Sequence, residues 1–167
     1  MANPKPGGWP AVTLVLVLLA AGCSFPDHPP GARGQAPHQG SSAAAAEYLG
    51  AAEPANRRLD AEVQSYTDHE HRNLAAAEAA LRAEAATERW FDQRLLKILF
   101  PPPVAATARA LIRANERRAE LTARQAGSPS LAALQSFTRC HQSADSAIEA
   151  QVRAIRRALG LPPPTTS

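Results

Sequence analysis

The sequence has few of the features on which catalytic and nucleic-acid-binding sites are usually built. It has only two cysteines, and aromatic residues make up 5% of its 167 residues. It contains no G-x-S-x-G nucleophile motif, no P-loop and no other glycine-rich nucleotide turn. Its net charge of +3 is too close to neutral for a nucleic-acid-binding protein, which would show a basic patch interleaved with aromatic residues. We therefore predict that the protein is not an enzyme and does not bind nucleic acid.

The apolar run near the amino terminus is too short to span a membrane. The apolar run over residues 11–21 contains eleven residues, whereas a transmembrane helix needs about 20. The run has the length of the apolar part of a signal peptide and ends in small residues. We predict that residues 1–22 are a lipoprotein signal peptide that is removed from the mature protein.

Cys23 follows this run directly. The segment LAAGC, residues 19–23, resembles the lipobox of bacterial lipoproteins, although Ala20 occupies the position at which a lipobox usually has leucine. The resemblance implies that the Cys23 thiol receives a diacylglycerol and that Cys23 becomes the new amino terminus. Two or three acyl chains, at about 0.8 kcal/mol per buried CH₂, would hold the protein on the extracytoplasmic face of the cell membrane. The alternative is an ordinary secretory signal followed by an unrelated cysteine.

The chain after the signal peptide divides into a linker, a helical region and a tail. Residues 23–42 are mostly Pro, Gly, Ala, Gln, His and Ser, which predicts a lipidated, flexible linker. Residues 43–161 show the 3.6-residue apolar period of helices and no alternating strand pattern. Residues 162–167 are predicted to be a disordered tail. The predicted fold class is all-α, an up-down-up-down four-helix bundle after a disordered linker.

Proline and glycine positions set the limits of the four predicted helices. The first begins near residue 43 and contains Pro54, which either kinks it or starts its stable part. The second covers residues 68–100 and the third residues 104–126. The fourth is a single helix of about 30 residues over 129–159, with a glycine stop after it.

The polar stretch TDHEHRN, residues 67–73, is the predicted break between the first two helices. Thr67 and Glu70 have the spacing of a capping box, which predicts that the second helix starts there. The same stretch is one residue away from the HExxH zinc motif, but Asn73 stands where the second histidine would be. An amide oxygen is a poor zinc ligand, so this metalloprotease reading fails.

A metal-binding or metal-responsive bundle is kept as the alternative function. Asp68 and His71 would share one helical face, and His141, with Asp145 nearby, lies on the apolar stripe of the last helix. These ligands are few, because carboxylate-bridged bundles use two Glu-x-x-His pairs and two further glutamates. We expect no cofactor and no metal, and keep Asp68, His71 and His141 as weak candidate ligands.

Two surface features are candidates for contacts with a partner. The apolar cluster over residues 90–100 either closes the deep end of the core or forms an exposed patch for another protein. A basic face on the third helix is either simply solvated or turned towards anionic lipid headgroups or wall polymers. The arginines of that face are Arg109, Arg113, Arg117 and Arg118.

The remaining cysteine, Cys140, has no partner for an intramolecular disulfide if Cys23 is lipidated. An unpaired cysteine in an exported protein is a buried thiol, an intermolecular bridge or a reactive group. We predict that Cys140 is buried or half-buried, because an exposed thiol would be oxidised.

Three sequence segments resemble a group of actinobacterial helical lipoproteins without an assigned function. They are YLG..EPAN at residues 48–56, FDQRLLKILFPPPVAATARALIRAN at 91–115 and LGLPPP at 159–164. Sixteen arginines against two lysines also suggest a GC-rich genome. The resemblance implies a four-helix domain outside the membrane and carries over no catalytic or ligand residue. We therefore expect a non-enzymatic interaction or structural module at the cell envelope, with the membrane and an envelope protein or anionic polymer as partners.

Overall fold

The computed structural model describes residues 39–164 of the chain, with side chains from residue 41 onwards. These residues form helices and no strand, and the four long helices pack against one another. The all-α, four-helix prediction is confirmed. The predicted signal peptide, Cys23 and most of the predicted linker lie outside the described residues. The helices are α1 (Gln39–His69), α2 (Leu74–Leu95), α3 (Pro102–Gln125), α4 (Leu131–Gln135) and α5 (Thr138–Ala158).

Successive long helices are neighbours in space. α1 packs on α2, α2 on α3 and α3 on α5. Hydrogen bonds pair Asp92, late in α2, with Asn115 in α3, and Arg118 with Asp145 in α5. These pairings support the up-down-up-down order, which stays a prediction.

The hydrophobic core consists of two clusters that lie between the long helices. The smaller cluster contains Ala77 and Leu81 of α2, Ala126 after α3 and Leu134 of α4. Small side chains at the helix contacts allow the backbones to approach closely, and burial of apolar surface at about 25 cal/mol per Å² stabilises the packing. The larger side chains of the main cluster are Tyr48, Leu95, Val104, Leu111, Ile112, Ile148, Ile155 and Leu159.

The break between α1 and α2 falls in the predicted polar stretch, but its capping differs from the prediction. Thr67 is still part of α1, and its hydroxyl donates to the Val63 carbonyl at 2.9 Å. Asn73 is the N-cap of α2, and its Oδ1 accepts from the Ala76 amide at 3.1 Å. The predicted capping box of Thr67 and Glu70 is wrong, because a threonine hydroxyl can also bind back to its own helix one turn earlier.

We expect Asn73→Ala to lower the free energy of unfolding by about 1 kcal/mol, because the first turn of α2 loses its side-chain acceptor. Thr67→Ala is the matched control, and its effect should be smaller because its hydroxyl bond lies on the exposed end of α1. Urea unfolding of both variants measures the difference. A larger loss for Thr67→Ala would favour the capping box over the Asn73 cap.

The start of α1 corrects one prediction and excludes one of the two alternatives for Pro54. Residues 39–42, which were assigned to the flexible linker, belong to α1. Pro54 lies inside α1 and does not start it. The polar composition of residues 39–42 therefore did not prevent them from joining the helix.

The predicted single helix over residues 129–159 is two helices, α4 and α5, separated by Ser136 and Phe137. Ser130 is the N-cap of α4, since its Oγ accepts from the Ala133 amide at 3.2 Å. The Ser136 hydroxyl donates to the Ala133 carbonyl at 2.7 Å, where α4 ends. Such local side-chain bonds compete with the helical ladder, which explains a break that the apolar period does not reveal.

The carboxyl-terminal end of the domain is fastened to α5. Gly160 has φ +70°, a left-handed conformation that glycine adopts readily, and it follows the end of α5 as predicted. Arg156 Nε donates to the Pro162 carbonyl at 2.6 Å, and Leu161 packs against the main core cluster. The disordered tail was therefore predicted to start too early, while residues 165–167 lie outside the described residues.

Candidate functional site

A buried ionic cluster joins α2, α3 and α5 in the centre of the bundle. Arg118 of α3 donates from Nη1 to Glu84 Oε1 at 2.5 Å and to Glu88 Oε1, and from Nε to Asp145 Oδ1 at 2.6 Å. The side chains of Glu84 and Glu88 are both 7% exposed, and that of Arg118 is 17% exposed. These four residues are called the Arg118 cluster below.

Helical spacing brings the members of the cluster to the inside of the bundle. Glu84 and Glu88 are four residues apart on α2, and Asp92 follows at the same spacing, so the three lie on one face. Asn115 and Arg118 are three residues apart on α3, and Asn115 Nδ2 donates to Asp92 Oδ1 at 2.7 Å. The inner face of α2 is therefore acidic where a bundle core is usually apolar.

The environment of the cluster shifts the pKa values of its acids upwards. Burial raises the pKa of Glu88 to about 8, although the neighbouring Arg118 lowers it in part. Burial also raises the pKa of Asp92 to about 7, against the hydrogen bond from Asn115. For Arg118 itself, burial lowers the pKa, but Glu88, Glu84 and Asp145 raise it by more, so the guanidinium stays charged. At neutral pH the cluster thus holds a charged guanidinium beside a Glu88 carboxyl that keeps its proton more readily than an exposed glutamate does.

A cavity of about 70 Å³ lies against the cluster and is lined by α1, α2, α3 and α5. Asn56 of α1 is 7% exposed and lines this cavity, and its Nδ2 has no hydrogen-bond partner among the described residues. Glu88 Oε2 is likewise buried without a partner among them. Unpaired buried polar atoms are costly, and of those among the described residues these two belong to side chains that line the cavity. The larger apolar side chains of the lining are Tyr48, Leu59, Val63, Phe91, Ile148 and Val152.

A second polar group lies next to the cluster and involves His141. Gln125 Nε2 donates to the Leu134 carbonyl at 2.9 Å, so its Oε1 is the acceptor for His141 Nε2 at 2.8 Å. This arrangement places the imidazole proton on Nε2. Burial, and then the charge of Arg118, lower the pKa of His141, which keeps the ring neutral.

The candidate metal ligands are not brought together. Asp68 accepts a hydrogen bond from Gln64, His71 is bonded to Gln135 and His141 to Gln125. Asp145, the nearby fourth residue, is held by Arg118. Within residues 41–164 no group of three or more His, Cys, Asp or Glu side chains is arranged to hold a metal ion. The ligand set considered from the sequence does not form, because its members lie on different elements and have separate partners.

The basic face of α3 contains three of the four predicted arginines. Arg109, Arg113 and Arg117 are exposed, but Arg118 points into the bundle. The inner face of α3 carries Leu111 and Asn115, and a step of three residues from Asn115 brings Arg118 to the same side. Neither alternative considered for this face, solvation or contact with lipids or polymers, applies to Arg118.

Cys140 is exposed, which corrects the prediction of a buried or half-buried thiol. The side of α5 that faces the core carries Ile148 and Ile155. Cys140 lies near the start of α5. Adjacent helical residues diverge by about 100°, so Cys140 can be exposed although the neighbouring His141 is bonded to Gln125 of α3.

The apolar cluster over residues 90–100 combines both predicted roles. Leu95 is fully buried, and Phe91 packs partly buried against the main core. Leu96 and Leu99 are 68% and 90% exposed. Trp90 is half-buried, with the Arg58 guanidinium 4.5 Å from its ring centroid. The cluster closes the core and also presents two leucines to solvent.

Glu84, Glu88 and Asp92 were not identified from the sequence. The apolar stripe of α2 runs through Leu81 and Ala85 and then contains no large apolar residue before Phe91. The acids fill this interval at the spacing of the buried face. Such a gap in an apolar stripe is the signal that could have found them.

No protein-family model, no curated protein and no solved structure matches this chain. Fold and site together define an all-helical bundle with a buried ionic centre beside a small cavity. The resemblance to actinobacterial helical lipoproteins stays a prediction. Among the helices of residues 39–164, none is long and apolar enough to cross a membrane.

Proposed function

We propose that the protein is a lipoprotein anchored through Cys23 on the extracytoplasmic face of the cell membrane, where its helical domain acts by binding and not by catalysis. The LAAGC segment, followed by a linker-like sequence and then a folded domain, carries this proposal. A non-catalytic role is proposed because the sequence has no nucleophile or phosphate-binding motif. A partner protein or an anionic polymer of the envelope fits such a module.

The surface of the domain supports a location at the membrane. Tyr48, early in α1, contacts Phe91 near the end of α2, with ring centroids 6.5 Å apart. The first turns of α1 and the connection between α2 and α3 therefore lie at the same end of the domain. This end presents the exposed leucines Leu96 and Leu99, with Lys97 between them. Apolar and basic side chains at the end of the domain where α1 begins suit a surface of anionic lipids.

The proposal is tested by labelling the full chain with a radioactive or alkyne-bearing palmitate in a bacterial host. We expect the wild-type chain to incorporate the label and to sediment with membranes, because Cys23 supplies the thiol to be lipidated. Cys23→Ser should lose the label completely, whereas the matched control Cys140→Ser should keep it. An unlabelled wild-type chain that is released into the medium would refute the lipid anchor and support an ordinary secretory signal.

A further inference from the structure

We propose that the cavity beside the Arg118 cluster binds a small organic cation, a primary ammonium ion with a hydroxyl or ether oxygen on a neighbouring carbon. The inference goes beyond lipid anchoring and can fail independently of it, because it concerns only the interior of the helical domain. Ethanolamine is the simplest member of this chemical class.

The charge of the lining selects a cation. Four carboxyl groups and a single guanidinium, that of Arg118, line the cavity. An ammonium ion can donate three hydrogen bonds and compensates the excess of negative charge. An anion would meet uncompensated carboxylates in a region of low polarity, which is strongly unfavourable. The carboxyl groups are those of Asp60, Glu84, Glu88 and Asp145.

The unpaired atoms of the lining define two further contacts. Glu88 Oε2 is buried without a partner among the described residues and can accept from the ammonium group. Asn56 Nδ2 is a buried donor, so it requires an acceptor on the ligand. A plain alkylammonium ion has no acceptor and would leave Asn56 unpaired. This contact is the reason for the oxygen atom in the proposed ligand.

The size and the apolar walls of the cavity limit the ligand further. A volume of about 70 Å³ admits only a few non-hydrogen atoms. Phe91 and Val152 offer apolar surface to the short carbon chain between the two polar groups.

A metal ion fits the same residues poorly. Arg118 occupies the centre of the carboxylates and would repel a divalent cation. An ammonium ion bears a single charge and makes directed hydrogen bonds at the rim of the cluster, so it does not have to displace the guanidinium.

Calorimetric titration of the purified full chain with ethanolamine, propylamine and Zn²⁺ tests the inference. We expect one ethanolamine site per chain and about fivefold to tenfold weaker binding of propylamine, which corresponds to one lost hydrogen bond. No binding of ethanolamine, or equal affinity for both amines, would overturn the inference. Stoichiometric Zn²⁺ binding that Glu88→Gln abolishes would also overturn it and identify a metal site.

Two variants assign the contacts, and circular dichroism verifies that each is folded. Asn56→Leu should bind both amines with similar affinity, because the donor that recognises the oxygen is gone. Glu88→Gln should weaken both amines, whereas Glu47→Gln, an exposed acid on α1, should leave affinity unchanged. Equal effects of the two glutamine variants would show that only overall charge matters and would contradict a built site.

The number of protons released when ethanolamine binds gives an independent test with the wild-type chain. Burial raises the pKa of Glu88 to about 8, and a bound ammonium ion would favour its ionised form. Asp60 of α1, Glu84 of α2, Arg118 of α3 and Asp145 of α5 face the same space. Titrations at neutral pH in two buffers of different ionisation enthalpy should show proton release that Glu88→Gln lacks. Proton uptake on binding would contradict the proposed role of Glu88.

Discussion

Arg118→Met is expected to lower the free energy of unfolding by about 3–5 kcal/mol. The substitution removes the only cation from three carboxyl groups, two of which are almost completely buried. Carboxylates in this setting must either stay ionised without a counter-charge or take up protons, and both cost stability at neutral pH. Methionine preserves most of the side-chain volume, so the loss reports mainly on charge.

Arg117→Met is the matched control, because Arg117 is the neighbouring arginine on α3 and is exposed. Its effect on urea unfolding should be below about 1 kcal/mol, as is usual for surface charges. The loss in Arg118→Met should also diminish as the pH falls, because protonation removes negative charge that has lost its counter-ion. Similar losses in both variants would show that the cluster is not the central ion pair of the fold.

The free energy of unfolding is expected to fall as the pH rises from about 4.5 to about 8. The carboxyl of Glu88 has a pKa of 4.5 when exposed and a pKa of about 8 in the fold, because burial disfavours its charged form. Between these values the folded protein binds more protons than the unfolded chain, so each rise in pH favours unfolding. Asp92, whose pKa is about 7 in the fold against 3.8 ordinarily, acts in the same direction. Each pKa unit corresponds to about 1.4 kcal/mol, so the combined decrease should be easily measurable.

His141 acts in the opposite direction over the acidic part of this range. Burial lowers its pKa from 6.5, so below that pH the unfolded chain takes up the proton more readily, and this single group offsets part of the effect of the two acids. Denaturant unfolding across the range should give a flatter profile for Glu88→Gln than for the wild-type chain. Glu120→Gln, an exposed acid on α3, should preserve the wild-type slope. Stability that rises towards about pH 8 in the wild-type chain would contradict the raised pKa of Glu88.

The Arg118 cluster is better explained by binding than by stability. Buried ion pairs can often be replaced by apolar residues of similar volume with little loss or even a gain in stability. Here Glu88 and Asp92 also each have a buried oxygen without a partner among the described residues. A bundle selected for stability alone would favour leucine at such positions, so the polar interior agrees with a ligand in the adjoining cavity.

Much of the helical architecture could be predicted from the sequence. The predicted third helix over residues 104–126 agrees with α3 within two residues, because Pro101 and Pro102 lie at its start and the apolar period is regular. Gly160 follows the end of α5 as predicted. The break in the polar stretch was also located correctly, although the cap is Asn73 and not Thr67. Helix periodicity and glycine or proline positions are local properties of the sequence. They therefore predict helices without knowledge of the tertiary packing.

The candidate site could not be predicted in the same way. The sequence placed Arg118 on a solvated basic face and Cys140 in a protected position, and the structure reverses both. Each choice depends on which side of a helix meets its neighbours, and α3 packs against both α2 and α5.

The sequence by itself therefore determined an all-helical protein, the limits of α3 and the position of the polar break after α1, and it suggested Cys23 as a lipidation site. Only the tertiary structure decided that Glu84, Glu88 and Asp145, which come from two helices, meet one arginine of a third. The physical reason is that helix formation depends on residues three and four positions apart, whereas a buried charge needs partners that the packing of distant segments supplies.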